Sequence, residues 1–199
     1  MKKNILDYLM NNISKYKNYD EIKQREIRYG LETIYITLSK TIVIVTISIL
    51  LKTYKNLLLI LLFYSLLRLF GSGLHASKSI YCWISSLIIF SLLPLIIDKI
   101  YINKNILIII SIMCTFLIFL HSPSDTEKRP MVNKKKRLFS KIMCTLISLT
   151  YLIIIIKNDN YYFNNILLIS QLIETTLLLP ISYKLFNLKY NNYKYYEVK

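Results

Sequence analysis

The chain has 199 residues, of which 54% are hydrophobic and 19% are charged. An average soluble domain is about 45–50% apolar and about 25% charged, so this chain is unusually apolar. Three Gly and four Pro are too few turn formers for an all-β sandwich or a Rossmann-type sheet, and long helices are expected instead. Three Cys are too few, and odd in number, for a secreted disulfide scaffold. The net charge of +15 would suggest a nucleic-acid ligand only in a chain of ordinary apolar content.

The apolar residues fall into blocks, and about 20 helical residues are needed to cross a bilayer core of about 30 Å. Six blocks can be distinguished, at residues 33–51, 56–70, 79–97, 105–120, 142–156 and 161–183. The second is the least secure, because its apolar stretch of 57–67 also fits a re-entrant arm or half of a broken helix. The sequence therefore predicts an all-α, polytopic membrane protein with six transmembrane helices, and five is the alternative.

Lys and Arg are unevenly distributed between the two ends of these blocks. With the N-terminus inside, segments 1–32, 68–82, 121–141 and 184–199 hold 20 of the 26 Lys and Arg residues, and the outer connections hold five. Cationic residues beside spans tend to remain in the cytoplasm. This asymmetry predicts that both termini are cytoplasmic, and it accounts for the net charge. The abundance of Ile, Lys, Asn and Tyr, which have AT-rich codons, indicates a low-GC bacterium and hence a bacterial cell membrane.

The two ends of the chain differ from its apolar middle. Residues 1–32 lack an uninterrupted apolar core, and Ile5, Leu9, Ile13 and Tyr16 recur at helical spacing beside several Lys, which predicts an amphipathic helix at the inner membrane surface. A solvated lead-in without function is the alternative. The tail of 184–199 interleaves Tyr with Lys, a pattern more typical of a membrane boundary than of a nucleic-acid site. Residues 33–183 are expected to form a single membrane domain.

Reactive side chains collect in one segment, 68–83, at the inner junction of the second and third blocks. It holds two of the three Gly, together with His75 and Cys82. An imidazole can take a thiol proton and return it to a leaving amine, which is the minimum for thiol catalysis. Seven residues of unbroken helix rise about 10.5 Å, so the chain must bend for the two side chains to meet. A solitary interfacial His and an inert Cys are the alternative that spacing alone favours.

Other polar and sulfur-containing residues can be explained by helix packing rather than by catalysis. Cys114 and Cys144 lie in apolar runs without a nearby base, and we expect them to pack as small hydrophobes. No metal-ligand spacing, phosphate loop or other cofactor motif is found, so no cofactor is expected. Gln171 and Glu174 lie in the sixth block, where a carboxylate is a functional candidate by default. Helix association, with Glu174 paired to Lys40 or a hydroxyl, is an equal alternative.

The second informative segment is the basic loop of 121–141. Pro123 and Pro130 bracket a stretch of turn and capping residues, which predicts a rigid cytoplasmic elbow. The basic run of 134–137 follows it. This run would lie against anionic lipid or bind an acidic peptide, and the sequence does not separate the two.

Two motifs carry a resemblance to a known family. The first is Arg68-x-x-Gly71-x-Gly73-x-His75-Ala76, followed by Cys82; the second is Ser122-Pro123 followed by Asp125, Glu127 and Lys128-Arg129-Pro130. In this order, and over nearly the whole chain, they resemble the accessory gene regulator protein B (AgrB) family, membrane-embedded cysteine peptidases of Gram-positive quorum sensing. The chain departs from the family pattern where Ser72 separates the paired glycines and where Ser122 replaces an Ala.

The resemblance implies a substrate and a reaction. The substrate would be an AgrD-like precursor peptide with an amphipathic leader and an acidic tail. Cys82 would attack the bond before that tail, His75 would act as base and then acid, and an internal Cys or Ser of the peptide would close a thiolactone or lactone ring. The acidic tail would be attracted to Arg68 or to Lys134, Lys135 and Lys136.

Two rivals share the same six spans. One is a small transporter or peptide exporter, whose polar path would use Glu174, Gln171 and Lys40 and for which Cys82 is dispensable. The other is a membrane scaffold that recruits a partner through its basic loop. The Ile- and Leu-rich outer faces of the helices fit either a homodimer or contact with lipid.

Overall fold

The computed structural model describes residues 2–16, 19–74, 79–127 and 130–195, and helices account for most of them. The α-helices are α1 (Lys2–Tyr16), α2 (Glu21–Leu50), α3 (Tyr54–Gly71), α4 (Ser79–Ile96), α5 (Lys104–His121), α6 (Lys134–Lys157), α7 (Tyr161–Leu178) and α8 (Pro180–Leu185). A 3₁₀ helix, η1, covers Asn192–Tyr195. A parallel bridge joins Ser72 to Ser124, and the described ranges contain helices but no β-strand, so the predicted all-α class is confirmed.

Asparagine residues set the start of three of these helices. The side chains of Asn103, Asn133 and Asn160 accept hydrogen bonds from backbone N–H groups in the first turns of α5, α6 and α7. An N-cap of this kind satisfies one of the donors that the first turn leaves unpaired. At the other end of α7, Pro180 disfavours helical geometry for Leu179, and the helix ends at Leu178.

The chain divides into two compact units, Met1–Ile47 and Ser48–Lys199. In the first unit, an ion pair of 2.7 Å between Arg28 and Asp7 joins α2 to α1. Helix α2 continues without a break through residue 33, where the sequence suggested the border between amphipathic segment and membrane domain. Helix α1 lies in the segment for which the sequence predicts an amphipathic helix at the inner membrane surface, and that amphipathic, membrane-bound character stays a prediction.

Among the residues that the structure describes, four helical stretches are long and apolar enough to cross a membrane: Lys23–Leu50, Tyr54–Gly71, Lys104–His121 and Lys134–Lys157. The second block, the least secure in the sequence, is thus a continuous helix of 18 residues. The part of α4 that meets the apolar criterion is shorter, Trp83–Ile96. The count of six transmembrane helices stays a prediction.

Helix α7 does not meet the same criterion, because it carries several polar side chains. Those side chains are buried, and they include Asn164, Asn165, Ser170, Gln171, Glu174 and Thr175. Helix α7 packs against α3, α5 and α6, and α4 packs on α3. The polar residues that lower its hydropathy therefore lie inside a helix bundle, where neighbouring helices can satisfy them.

A hydrogen-bonded layer crosses the middle of this bundle. The Gln171 side chain accepts from the Ser111 hydroxyl (2.7 Å) and donates to the Ser148 hydroxyl (3.0 Å) and carbonyl (2.9 Å). Thr115 and Ser148 share a further hydrogen bond of 2.9 Å. One amide on α7 thus holds α5 and α6 together.

Candidate functional site

The segment of 68–83 leaves α3 at Gly71 and continues into α4, which begins at Ser79. His75 lies outside the described residues. Cys82 falls in the first turn of α4, and its side chain is likewise outside what the structure describes. The pairing of His75 with Cys82 therefore stays a prediction, and the described geometry concerns the four residues that lead up to His75.

These four residues, 71–74, are held by the loop that follows α5. The Gly73 N–H donates to the Ser124 carbonyl (2.8 Å), and the Ser124 N–H donates to the Gly71 carbonyl (3.1 Å). The Ser124 hydroxyl donates to the carbonyl of Leu178, at the end of α7 (3.0 Å). The two predicted motifs are thus in direct backbone contact, although about 50 residues separate them in the chain.

The end of α7 fixes the same segment from the other side. The Leu74 N–H donates to the Leu177 carbonyl over 2.9 Å. The Arg68 guanidinium donates to the Leu74 carbonyl over 2.7 Å and approaches the Gly73 carbonyl at 3.5 Å. Both polar groups of the Leu74 backbone are therefore engaged immediately before His75.

Arg68 also makes the one ion pair that the described structure places inside the bundle. Its Nη1 lies 3.6 Å from Oε2 of Glu174, whose side chain is fully buried, and the Arg68 side chain is 18% exposed. A buried carboxylate is costly unless it is paired, so this contact accounts for Glu174 in an apolar helix. The sequence favoured Lys40 or a hydroxyl as the partner and did not associate Glu174 with Arg68.

Two glycines make this close packing possible. A Cβ on Gly71 would collide with Glu174 Oε1 and lie 3.1 Å from the Cys144 sulfur. Gly73 has a φ of +86°, which other residues adopt rarely, and a Cβ there would collide with the Arg68 guanidinium. Cys144 and Cys114 are buried free thiols, as predicted.

The described part of the loop, 122–127 and 130–133, is non-helical, as its prolines predict. The peptide bond between Ser122 and Pro123 is cis. The Asp125 carboxylate accepts hydrogen bonds from the N–H groups of Met131 (3.1 Å), Asn192 (2.8 Å) and Tyr193 (2.8 Å). Part of the predicted tail is therefore packed against the loop. Tyr183, just before the tail, is also buried. The sequence contains no signal that reveals this role of Asp125.

The basic run of 134–137 forms the first turn of α6. Lys134, Lys135 and Lys136 are exposed, and the Arg137 guanidinium stacks on the Tyr193 ring, 3.0 Å from its centroid. Of the residues predicted to bind substrate, Arg68 is thus inside the bundle beside the candidate site, whereas the three lysines are on a separate exposed helix end. Their contact with a substrate stays a prediction.

Comparisons with known proteins agree with the two motifs. The family described as Accessory gene regulator B matches residues 3–178. An accessory gene regulator protein B of Staphylococcus aureus (strain Newman) is 33% identical over 181 residues, which cover 89% of this chain and 93% of that protein. The protein of the same name in strain MW2 is 27% identical over 183 residues, covering 90% and 95%. No solved structure matches the chain. The extent of the family match and the identity to these relatives show that the chain belongs to the accessory gene regulator B family.

Proposed function

We propose that the chain is a membrane-embedded cysteine endopeptidase that removes the C-terminal tail of a quorum-sensing precursor peptide and promotes cyclisation of the remainder. The observation that carries this proposal is the family match over residues 3–178, which includes His75, Cys82 and every residue of the Arg68 and Ser124 contacts. The precursor would be of the AgrD type, with an acidic tail.

The chemistry requires a thiolate at Cys82. His75 would take the thiol proton, and the thiolate would attack the carbonyl carbon of the bond before the tail. His75 would then return the proton to the leaving amine, and the peptide would remain on Cys82 as a thioester. A Cys or Ser within the peptide would displace Cys82 and close a thiolactone or lactone ring. Cys82 lies in the first turn of α4, where the helix dipole favours a thiolate.

Arg68 and Glu174 would act as positioning residues for this reaction. Arg68 donates to the carbonyl that immediately precedes His75, and Glu174 is the charged group against which Arg68 is placed. A catalytic base must be held in a narrow range of geometries, and a displacement of about 1 Å costs about a hundredfold in rate. The engagement of Arg68 in these contacts favours this role over direct binding of the substrate tail.

The acidic tail would instead be attracted by Lys134, Lys135 and Lys136, which are exposed and close together. In this proposal the substrate's acidic tail lies on the cytoplasmic side of the membrane. Both termini of the chain are predicted to lie on that side, and α1 is predicted to lie at the inner membrane surface. Six transmembrane helices remain the proposed count, with α4 and α7 completing the four stretches that meet the length and hydropathy criteria.

A transporter has less support. Its predicted path used Gln171 and Glu174, and both side chains are buried and paired with other helices of the bundle. Such contacts are typical of residues that hold transmembrane helices together.

Co-expression of the chain with a candidate precursor in membranes, followed by mass spectrometry of the peptide products, tests the proposal. The wild type is expected to release the tail and a cyclic product, whose mass is lower by one water than that of the linear peptide without its tail. Cys82→Ala and His75→Ala are expected to leave the precursor intact, while Cys114→Ala serves as the matched control for loss of a thiol. Full processing by Cys82→Ala would overturn the peptidase mechanism.

A further inference from the structure

A cavity of about 520 Å³ lies at the end of the bundle where α5 ends and α6 begins. Its walls are the last residues of α5, the start of the loop that follows (Ser122 and Pro123), the first two turns of α6 and the segment of 190–193. The segment that leads to His75 is not among the lining residues. The proposed reaction at Cys82 and the Arg68 contacts do not use it, although one lining residue, Lys134, is among the cations proposed to attract the acidic tail.

Three cations from one helix line this cavity. They are Lys134, Arg137 and Lys141, which are three and four residues apart and therefore share a face of α6. Lys135 and Lys136 are also exposed, but they are not among the lining residues. The basic run is thus divided into cations that face the cavity and cations that do not. None of the described lining residues is acidic.

The opposite wall is held in place by hydrogen bonds and aromatic contacts. Tyr193 stacks under the Arg137 guanidinium, and its N–H is bound by the Asp125 carboxylate. Tyr190 shares a hydrogen bond of 3.0 Å with His121 Nδ1, and burial raises the pKa of its phenol, which keeps it neutral. The cations therefore face a neutral wall that is preformed, because contacts within the protein hold its side chains in place.

Two exposed leucines also line the cavity. Leu120 is 50% exposed and Leu138 is 60% exposed, and both line it. They belong to α5 and α6, two helices with the length and hydropathy of membrane spans. A ligand that fits must therefore combine an anionic group with hydrocarbon that continues along these helices.

We propose that this cavity binds the headgroup of an anionic phospholipid of the phosphatidylglycerol class. The phosphate would lie among Lys134, Arg137 and Lys141, and the acyl chains would extend past Leu120 and Leu138 along α5 and α6. Basic pockets between helix ends on the cytoplasmic side are suited to such headgroups. The lipid site does not rest on the proposed peptidase reaction, and it shares one cation, Lys134, with the run proposed to attract the acidic tail, whereas Lys135 and Lys136 do not line the cavity. An acidic peptide shares the negative charge but not the hydrocarbon, so the exposed leucines favour the lipid.

Native mass spectrometry of the full chain, released from detergent micelles that contain equal amounts of phosphatidylglycerol and phosphatidylcholine, tests this site. The test variant is the double substitution Lys134→Gln/Lys141→Gln. Its matched control is Lys135→Gln/Lys136→Gln, which removes the same number of positive charges from the same helix, but at residues that do not line the cavity. Both leave the contact of Arg137 with Tyr193 intact.

The wild type and the control are expected to retain phosphatidylglycerol in preference to phosphatidylcholine. The test variant is expected to retain about thirtyfold less, since each cation near an anionic lipid contributes about 1 kcal/mol. Equal retention by the two variants, or equal retention of the two lipids by the wild type, would overturn the proposal.

Two further measurements separate other outcomes. In the first, a synthetic ten-residue peptide rich in Glu is added to the wild type and both variants in lipid-free micelles. If this peptide binds with the same dependence on Lys134 and Lys141, and phosphatidylglycerol is not retained, the cavity is a peptide site and the lipid assignment is wrong. Photocrosslinking of the wild type with a phosphatidylglycerol that carries a photoreactive group near its glycerol requires no variant. Adducts are expected at residues 119–141 and 190–193, and labelling spread evenly over all helices would contradict the site.

Discussion

The Arg68 guanidinium lies 3.6 Å from the Glu174 carboxylate, inside the bundle, and it also donates a hydrogen bond to the Leu74 carbonyl, immediately before His75. Removal of one partner from a buried pair leaves an uncompensated charge and costs about 3–5 kcal/mol. Glu174→Gln and Arg68→Gln should therefore each lower the free energy of unfolding in detergent by about 3 kcal/mol and reduce peptide processing more than tenfold.

The double variant Arg68→Gln/Glu174→Gln separates stability from positioning. Because it removes both charges, we expect it to be more stable than either single variant. Its processing rate, normalised to folded protein, should stay low, since the Leu74 carbonyl has still lost its guanidinium donor. Recovery of processing together with stability would show that the pair is only structural.

The glycines provide a second prediction. Gly71→Ala should destabilise the protein by about 1–3 kcal/mol, because its Cβ would collide with Glu174, a cost typical of overpacking. Gly30→Ala is the matched control, because a Cβ at that helical position meets nothing within 4 Å. It should be neutral or stabilising by up to about 1 kcal/mol. Thermal unfolding monitored by size-exclusion chromatography measures both, and equal effects would contradict the packing at Gly71.

Asp125 is predicted to hold residues 190–195 against the loop. Asp125→Asn weakens three hydrogen bonds to backbone N–H groups, and hydrogen bonds to a charged group contribute about 1.5–3 kcal/mol each. Trypsin should then cleave after Lys189 and Lys194 at least tenfold faster than in the wild type. Asp159→Asn removes a carboxylate that binds exposed Lys104 and should leave this cleavage unchanged. Equal protection in both variants would rule out the anchoring role.

The polar layer around Gln171 supplies a fourth prediction. Hydrogen bonds between membrane helices contribute about 0.6 kcal/mol on average and at most about 1.7 kcal/mol. Ser148→Ala should therefore destabilise the bundle by about 1–2 kcal/mol, since its hydroxyl contacts both Gln171 and Thr115. Thr150→Val should change stability little, because the exposed Thr150 hydroxyl bonds only within its own helix. Unfolding in mixed detergent compares the two.

Much of the fold follows from the sequence because apolar length is a local property. Each predicted block overlaps one of the long helices α2–α7, and α5, whose block was read as 105–120, spans Lys104–His121. The sequence also identified both motifs of the site. It did not reveal that the polar side chains of α7 are buried against other helices, because which polar side chains face a partner depends on packing between distant segments.

The contacts of the candidate site show the same limit. Arg68 and Glu174 were each singled out, and their ion pair joins residues more than 100 positions apart. Ser124 and Asp125 looked like turn residues, although their partners are Gly73 and the N–H groups of 192 and 193. A sequence shows which residues favour turns, but it does not show which distant backbone group each of them will bind.

Trapping of the acyl-enzyme tests the peptidase proposal most directly. The full chain, in membranes with a precursor whose internal Cys or Ser is replaced by Ala, cannot complete cyclisation, so the thioester should accumulate. Mass spectrometry should then find the truncated peptide on Cys82, and neither on Cys114 nor on Cys144. The adduct should be lost on treatment with hydroxylamine and should not form in His75→Ala. Release of the tail without any adduct on Cys82, or release by Cys82→Ala, would contradict the account.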